Sequence, residues 1–196
     1  MSFRFSLTHF CHQFLTSKTF PAGVSLDMTV GKGKDLAFLA KLTHVKPSAL
    51  MAIDVQPDAL VQAKAYLLQE IGHEAEQIEW RLGSHALIDA WLRQWPLAKD
   101  GVSLAMYNLG YLPGSDKKLT TMADSTLSSL EALMPWIIPG GGISLMVYPG
   151  HENGRFESQA LQFWLQGILA QDWHLWQTAR LGAEHAPYWV WMQKNS

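Results

Sequence analysis

Two aspartates flank a pair of glycines in the run Leu26-Asp27-Met28-Thr29-Val30-Gly31-Lys32-Gly33-Lys34-Asp35. Residues of these types in this order can build a ligand-binding turn. Glycines let the backbone pass a ligand with no Cβ in the way. A helix that starts just after them turns its free N–H groups to the same place. A dinucleotide loop would carry a third glycine where this chain has Leu36, which argues against a pyrophosphate cradle. A carboxylate at Asp27 would also repel a pyrophosphate. It would instead attract an ammonium, directly or through water, and S-adenosylmethionine is a cofactor that carries one. A tight turn without a ligand is the alternative that glycine pairs alone leave open. Asp54 follows in Ile53-Asp54-Val55-Gln56, 23 positions after Gly31, close to the roughly 20-residue interval of a ribose-binding acid. Its carboxylate can accept from two ribose hydroxyls or cap the helix at Pro57. The agreement of two spacings favours the ligand. Ser84-His85 falls where an adenine edge would lie, and Ser84 serves equally well as a plain helix cap.

These residues need a frame that brings strand ends together. Short β-rich runs alternate with helical stretches, the pattern of a parallel sheet covered by helices. An opening helix is expected over Phe5 to Thr16, then a strand over Val24 to Met28, a helix near Asp35 to Leu42 and a strand over Ala49 to Asp54. Pro57 suits the first turn of a helix reaching Ile71, since its missing N–H is not needed there. A strand over Gln77 to Leu82, a helix from Ser84 to about Arg93 and a strand over Val102 to Tyr107 come next. A helix follows over Met122 to Met134, then a turn at Pro139-Gly140-Gly141-Gly142 and a strand over Ile143 to Tyr148. Phe156 to Leu169 reads as a helix, and Trp173 to Ala179 and Tyr188 to Met192 as an antiparallel hairpin. The expected fold is α/β, with seven strands, mostly parallel, and helices on both faces. Ligands of such sheets bind at the carboxyl ends of the strands.

Composition narrows the classes further. The 196 residues are 48% hydrophobic and only 16% charged, against about 25% charged in average soluble domains, so the chain is not disordered. The length is that of one domain, here 1–196 with a helical extension over 1–20. The net charge of -2 excludes a protein held to nucleic acid by bulk positive charge. One cysteine, Cys11, excludes a disulfide framework and a cysteine-only metal cage. His9 and His12 lie one helical turn apart without a third ligand at matching spacing, so no metal is expected. The most apolar stretch, Leu133 to Tyr148, is broken by prolines and glycines, and a membrane helix needs about 20 apolar residues. The opening residues have no apolar run of signal-peptide length, and a cytoplasmic protein is expected. Nine tryptophans with so little charge point to an apolar surface that a homodimer would cover.

The most specific stretch is Asn108-Leu109-Gly110-Tyr111-Leu112-Pro113-Gly114-Ser115-Asp116-Lys117. It combines with Asp27 to Asp35, Ile53 to Gln56, Tyr148-Pro149-Gly150-His151, Glu157, His12 and Pro187. Over nearly its whole length the chain resembles the bacterial family of small class I S-adenosylmethionine-dependent methyltransferases called putative rRNA methylases. Some members of that family methylate the wobble aminomethyl-thiouridine of tRNA. Lys32 and Lys34 stand where the family usually has Asn and His, Leu36 where it has Thr, and Pro149 where it has His. The resemblance implies a Rossmann-like fold, S-adenosylmethionine as cofactor and RNA, with tRNA favoured, as partner. It sets Asp27, Thr29, Gly31, Gly33, Asp35, Asp54, Gln56, Ser84, His85 and Asn108 around the cofactor. Asn108, Tyr111 and His151 fall at the reaction, and His12, Lys117 and Lys118 toward the substrate.

Methyl transfer needs an acceptor lone pair in line with the methyl carbon, about 3–3.5 Å away. The Asn108 carbonyl can accept from an amine and orient that lone pair. Tyr111 can stack on a flipped base or pack in the core. His151 can take up an amine proton or stand solvated in its loop. Lys32, Lys34, Lys117 and Lys118 would gather charge at one rim for RNA phosphates. A small-molecule amine methyltransferase and a non-catalytic binding module are the rival functions. A nicotinamide oxidoreductase ranks last on the glycine spacing and Asp27.

Overall fold

A computed structural model describes residues 6–42, 45–110, 121–168, 172–183 and 185–196. The described elements run α1 (Leu7–Thr16), β1 (Val24–Asp27), α2 (Lys34–Ala40), β2 (Leu50–Asp54), α3 (Pro57–Ile71), β3 (Glu79–Leu82), α4 (Ile88–Gln94), β4 (Val102–Leu109), α5 (Ala123–Leu133), β5 (Ile137–Val147), α6 (Glu152–Ile168), β6 (Trp173–Ala179) and β7 (Tyr188–Lys194). Seven strands form one sheet in the order β3-β2-β1-β4-β5-β7-β6. Strands β1 to β5 pair in parallel, and β7 joins β5 and β6 antiparallel. The chain winds one way from β1 to β3 and the other way from β4, so the switch point lies between β1 and β4. No described helix is long and apolar enough to cross a membrane.

Period-two alternation sends side chains to two cores, one on each face of the sheet. On β4, Ala105, Tyr107 and Leu109 face one core, and Leu104 and Met106 the other. On β7, Tyr188, Val190 and Met192 take the first face, and Trp189 and Trp191 the second. The two tryptophans are buried against α1, with Phe14 ring centroids 5.1 Å from Trp189 and 5.9 Å from Trp191. Their bulk belongs to the core and fixes α1 on the sheet. Ser6 starts α1 by accepting the His9 amide at 3.2 Å, as an N-cap should.

The structure differs most from the sequence expectations at three places. Pro139 to Gly142 is not a turn but part of β5. Between paired positions Val102–Ile137 and Leu104–Gly142, β5 carries extra residues that bulge out of the ladder. Glycine is required there: a Cβ on Gly142 would meet Trp191 at 2.3 Å and the Met192 carbonyl at 2.5 Å. Helix α6 begins at Glu152, a turn before Phe156, with His151 capping it through Nδ1, which accepts the Gly154 amide at 3.0 Å. Gly154, a poor helix former, hides that start in the sequence. A Cβ at this glycine would sit 2.4 Å from the Tyr148 carbonyl. Finally, Ser84 caps a 3₁₀ turn, His85–Leu87, that precedes α4.

Candidate functional site

Strand β1 is short, and its neighbours outrun it. Asp27 pairs with Ala52 on β2 and Met106 on β4, so Asp54 and Asn108 stand two residues further along on either side. The glycine segment crosses this notch. Met28 donates to the Met106 carbonyl at 2.9 Å, and Val30 to the Ile53 carbonyl at 2.9 Å. The Thr29 hydroxyl accepts the Asn108 amide at 2.7 Å. Asp54 accepts the Gly31 amide through Oδ2 and the Gln56 amide through Oδ1, each at 2.9 Å. Each oxygen keeps a lone pair for a hydroxyl donor.

The candidate residues fall into two layers. Thr29, Gly31, Asp54, Gln56, Ser84 and Asn108 are partly exposed and form an open rim. Asp27, Gly33, Asp35 and His85 lie beneath it, buried. Gly33 has φ +80°, and a Cβ there would lie 2.9 Å from Leu67 and 3.1 Å from Ala63. Its missing side chain makes room for α3. Gly31, at φ +50°, is the glycine of the rim. Tyr111, Lys117 and Lys118 lie outside the described residues. Lys32 and Lys34 are exposed.

Asp27 is fully buried. Burial above all, with Asp35 and Asp54 nearby, pushes its carboxyl well above the usual range, while the Thr29 and Leu36 amides work the other way. Oδ1 accepts the Thr29 amide at 3.2 Å, and Oδ2 has no partner among the described residues. A buried acid oxygen without a donor is suited to a cation arriving above it. His85 is buried against Tyr107, ring centroids 5.9 Å apart. Burial lowers its pKa to about 4, so the ring is neutral, and its Nε2 has no hydrogen-bond partner among the described residues.

Asp35 is buried and meets the rim only at Asn108. Its Oδ1 lies 2.7 Å from His12 Nε2, and its Oδ2 accepts Asn108 Nδ2 at 2.6 Å. His12 stacks flat on Phe38, 3.9 Å between centroids at 1°. The outer side of His12 faces a shallow cavity of ≈ 460 Å³ that Phe38 also lines. Thus α1, α2 and β4 meet in one chain of polar contacts. Among the described residues no group of three or more His, Cys, Asp or Glu gathers as a metal site would. His151 is occupied as a helix cap; taking a proton at Nδ1 would break its bond to Gly154.

Glu157, named from the sequence only as part of the resemblance, centres a polar cluster whose partners the sequence did not show. Glu157 is buried and accepts from Thr126 at 2.6 Å and Thr121 at 2.7 Å. Thr121 in turn accepts the Gly110 amide at 2.8 Å and donates its own amide to the Gly110 carbonyl at 3.0 Å. The end of β4 is thereby tied to α6. The legible signal was a charged residue on the apolar stripe Gly154, Glu157, Leu161, Leu165, Ile168 of α6.

The rim fits S-adenosylmethionine. Asp54 offers acceptors to a diol, and Asp27 offers an unpartnered carboxyl oxygen beneath the notch. The chain superposes on a putative rRNA-methylase from Clostridium thermocellum with TM-score 0.83, at 23% identity, over 99% of this chain and 100% of that one. A putative methyltransferase from Streptococcus mutans in complex with SAH gives TM-score 0.81 at 24% identity, over 97% and 99%. The fold is the one these two structures share. Residues 50–194 match the family model described as Putative rRNA methylase, and the chain belongs to that family. A curated relative in Arabidopsis thaliana, "tRNA (mnm(5)s(2)U34)-methyltransferase, chloroplastic", is 32% identical over 174 residues, 87% of this chain. The chain spans 62% of that relative's length.

Proposed function

We propose that this chain methylates RNA, and that its acceptor is the aminomethyl nitrogen of a modified wobble uridine in tRNA. The observation that carries this reading is the orientation of the Asn108 amide. A carboxylate only accepts hydrogen bonds, so Asn108 Nδ2 must be the atom facing Asp35. The carbonyl Oδ1 is left as an acceptor at the tip of β4, beside the switch point, and accepts nothing among the described residues. An amine N–H donated to it is held with its lone pair directed elsewhere. The cofactor, when bound, supplies a methyl group on a sulfonium that leaves by in-line displacement. The chain contributes position and a polar frame rather than a covalent intermediate. Asp54 and Gln56 take the ribose side, and Asp27 the ammonium side from below. The name of the Arabidopsis relative supports the choice of tRNA, and the exposed Lys32 and Lys34 support a phosphate-facing rim.

The test is mass spectrometry of tRNA nucleosides after incubation with the purified protein and labelled S-adenosylmethionine. Expected is one methyl gained on the aminomethyl-uridine nucleoside, with affinity for tRNA that falls steeply with salt. Methyl gain in rRNA alone would redirect the substrate. No gain in any RNA would overturn the proposal in favour of a small-molecule amine acceptor or a binding module. Asn108→Ala should cut turnover to a small residual rate and leave SAH affinity nearly intact.

A further inference from the structure

Asn108 can serve as an acceptor only if its amide stays in one of two flips. The carbonyl must meet the amine. In the other flip the amide would donate into the amine lone pair and block the displacement. Something must therefore choose the flip, and the contacts around Asp35 do so. We infer that Asp35 is the positioning residue of the acceptor site, holding Asn108 in its acceptor flip and coupling it to α1 through His12. This inference rests on the methyl-transfer reading of Asn108 given above.

The geometry commits each partner. Asp35 Oδ2 accepts Asn108 Nδ2 at 2.6 Å, a short bond to a charged acceptor. Oδ1 pairs with His12 Nε2 at 2.7 Å, so the carboxylate is held from both sides. His12 is itself fixed by its flat stack on Phe38. The Asn108 backbone is pinned separately, its amide donating to Thr29 Oγ1 at 2.7 Å. Main chain and side chain of Asn108 are thus both set from the segment that follows β1. With both oxygens engaged and the residue buried, Asp35 acts through Asn108 rather than on the cofactor. The N-terminal helix, which is no part of the sheet, thereby reaches the reacting atoms through one histidine.

The experiment is a double-mutant cycle read with S-adenosylmethionine and tRNA bearing aminomethyl-thiouridine, joined to NMR of the ligand-free protein. Asp35→Asn is isosteric but can offer an N–H where Asn108 needs an acceptor. It is expected to lower kcat about 10–100-fold, the range for losing a hydrogen bond to a charged group. KM for S-adenosylmethionine and SAH affinity by calorimetry should stay close to the parent values. In an Asn108→Ala background the same change should have almost no further effect on the residual rate. An equal fold loss in both backgrounds, or a loss of SAH affinity matching the loss of turnover, would overturn the inference. The NMR readout needs neither turnover nor a folded variant at position 35. The wild-type Asn108 side-chain amide should show one proton shifted downfield and protected from exchange, identified by its disappearance in Asn108→Asp. Two freely exchanging protons there would refute the positioning role. Should the wild-type protein fail to methylate this RNA, the proposed function falls, and the NMR result still decides whether Asn108 is held in one flip.

Discussion

Gly33→Ala separates a packing role from a ligand role at the residue most easily mistaken for part of the cofactor cradle. Gly33 has φ +80°, and an added Cβ would lie 2.9 Å from Leu67 Cδ2 and 3.1 Å from both Cα and Cβ of Ala63. The left-handed backbone alone costs an L-residue about 1–2 kcal/mol. Forcing a methyl into a filled interface adds about 1–3 kcal/mol. The Leu67 tip can yield, but the Ala63 backbone cannot without moving α3. Together the change should destabilise the protein by about 2–5 kcal/mol, or roughly 4–20 °C in Tm for a chain of this size. The assay is denaturant unfolding of the ligand-free protein, paired with SAH calorimetry at a temperature where the variant is folded. SAH affinity should be little changed, because no ligand atom needs the space that α3 fills. Leu67→Ala should cost less in the Gly33→Ala background than alone, since the smaller side chain relieves part of the clash. A variant as stable as the parent that had lost SAH binding would refute this reasoning.

Two buried groups make opposite predictions about pH. For His85, burial lowers the pKa from 6.5 to about 4, so the folded state binds fewer protons than the unfolded chain between these values. Stability is complete above pH 6.5 and falls as pH drops toward 4, by about 3 kcal/mol in all. His85→Phe should remove that part of the slope in denaturation midpoints; an unchanged slope would show that the ring is not buried neutral. Asp27 has the reverse sign. Its raised pKa means the folded, ligand-free state holds an extra proton above the ordinary aspartate pKa. Its contribution is greatest at low pH and is lost as pH rises through the folded value. Ligand-free Asp27→Asn should match or exceed the parent in stability at pH 7, with an advantage growing by at most about 1.4 kcal/mol per pH unit. A less stable variant would place a compensating cation beside Asp27.

Glu157 and Asp35 show how far a carboxylate's surroundings decide its part. Both are buried and both accept two hydrogen bonds. Glu157 takes two threonine hydroxyls, and burial raises its pKa; it ties Thr121, and with it the end of β4, to α6. Asp35 takes a histidine and an amide and joins α1 to the end of β4. Helical spacing placed Glu157 on an apolar stripe, and proximity to the glycines placed Asp35 near a ligand. Neither fact names the partner.

Local chemistry made much of this protein legible from its residues alone. Short β-rich runs and Pro57 located the strands and α3, whose observed bounds, Pro57–Ile71, coincide with those read from the sequence. The strand-end residues Asp27, Asp54 and Asn108 could be placed at one sheet edge, because parallel strands joined by helices all point their carboxyl ends the same way. What the sequence could not contain was depth and pairing. That Gly33 faces α3, that Gly142 lies under Trp191 inside a strand, and that Asp35 joins His12 to Asn108 are contacts between residues distant along the chain. The first two depend on how closely neighbouring elements pack, the third on which lone pairs remain for which donors, and both are decided only when the elements meet.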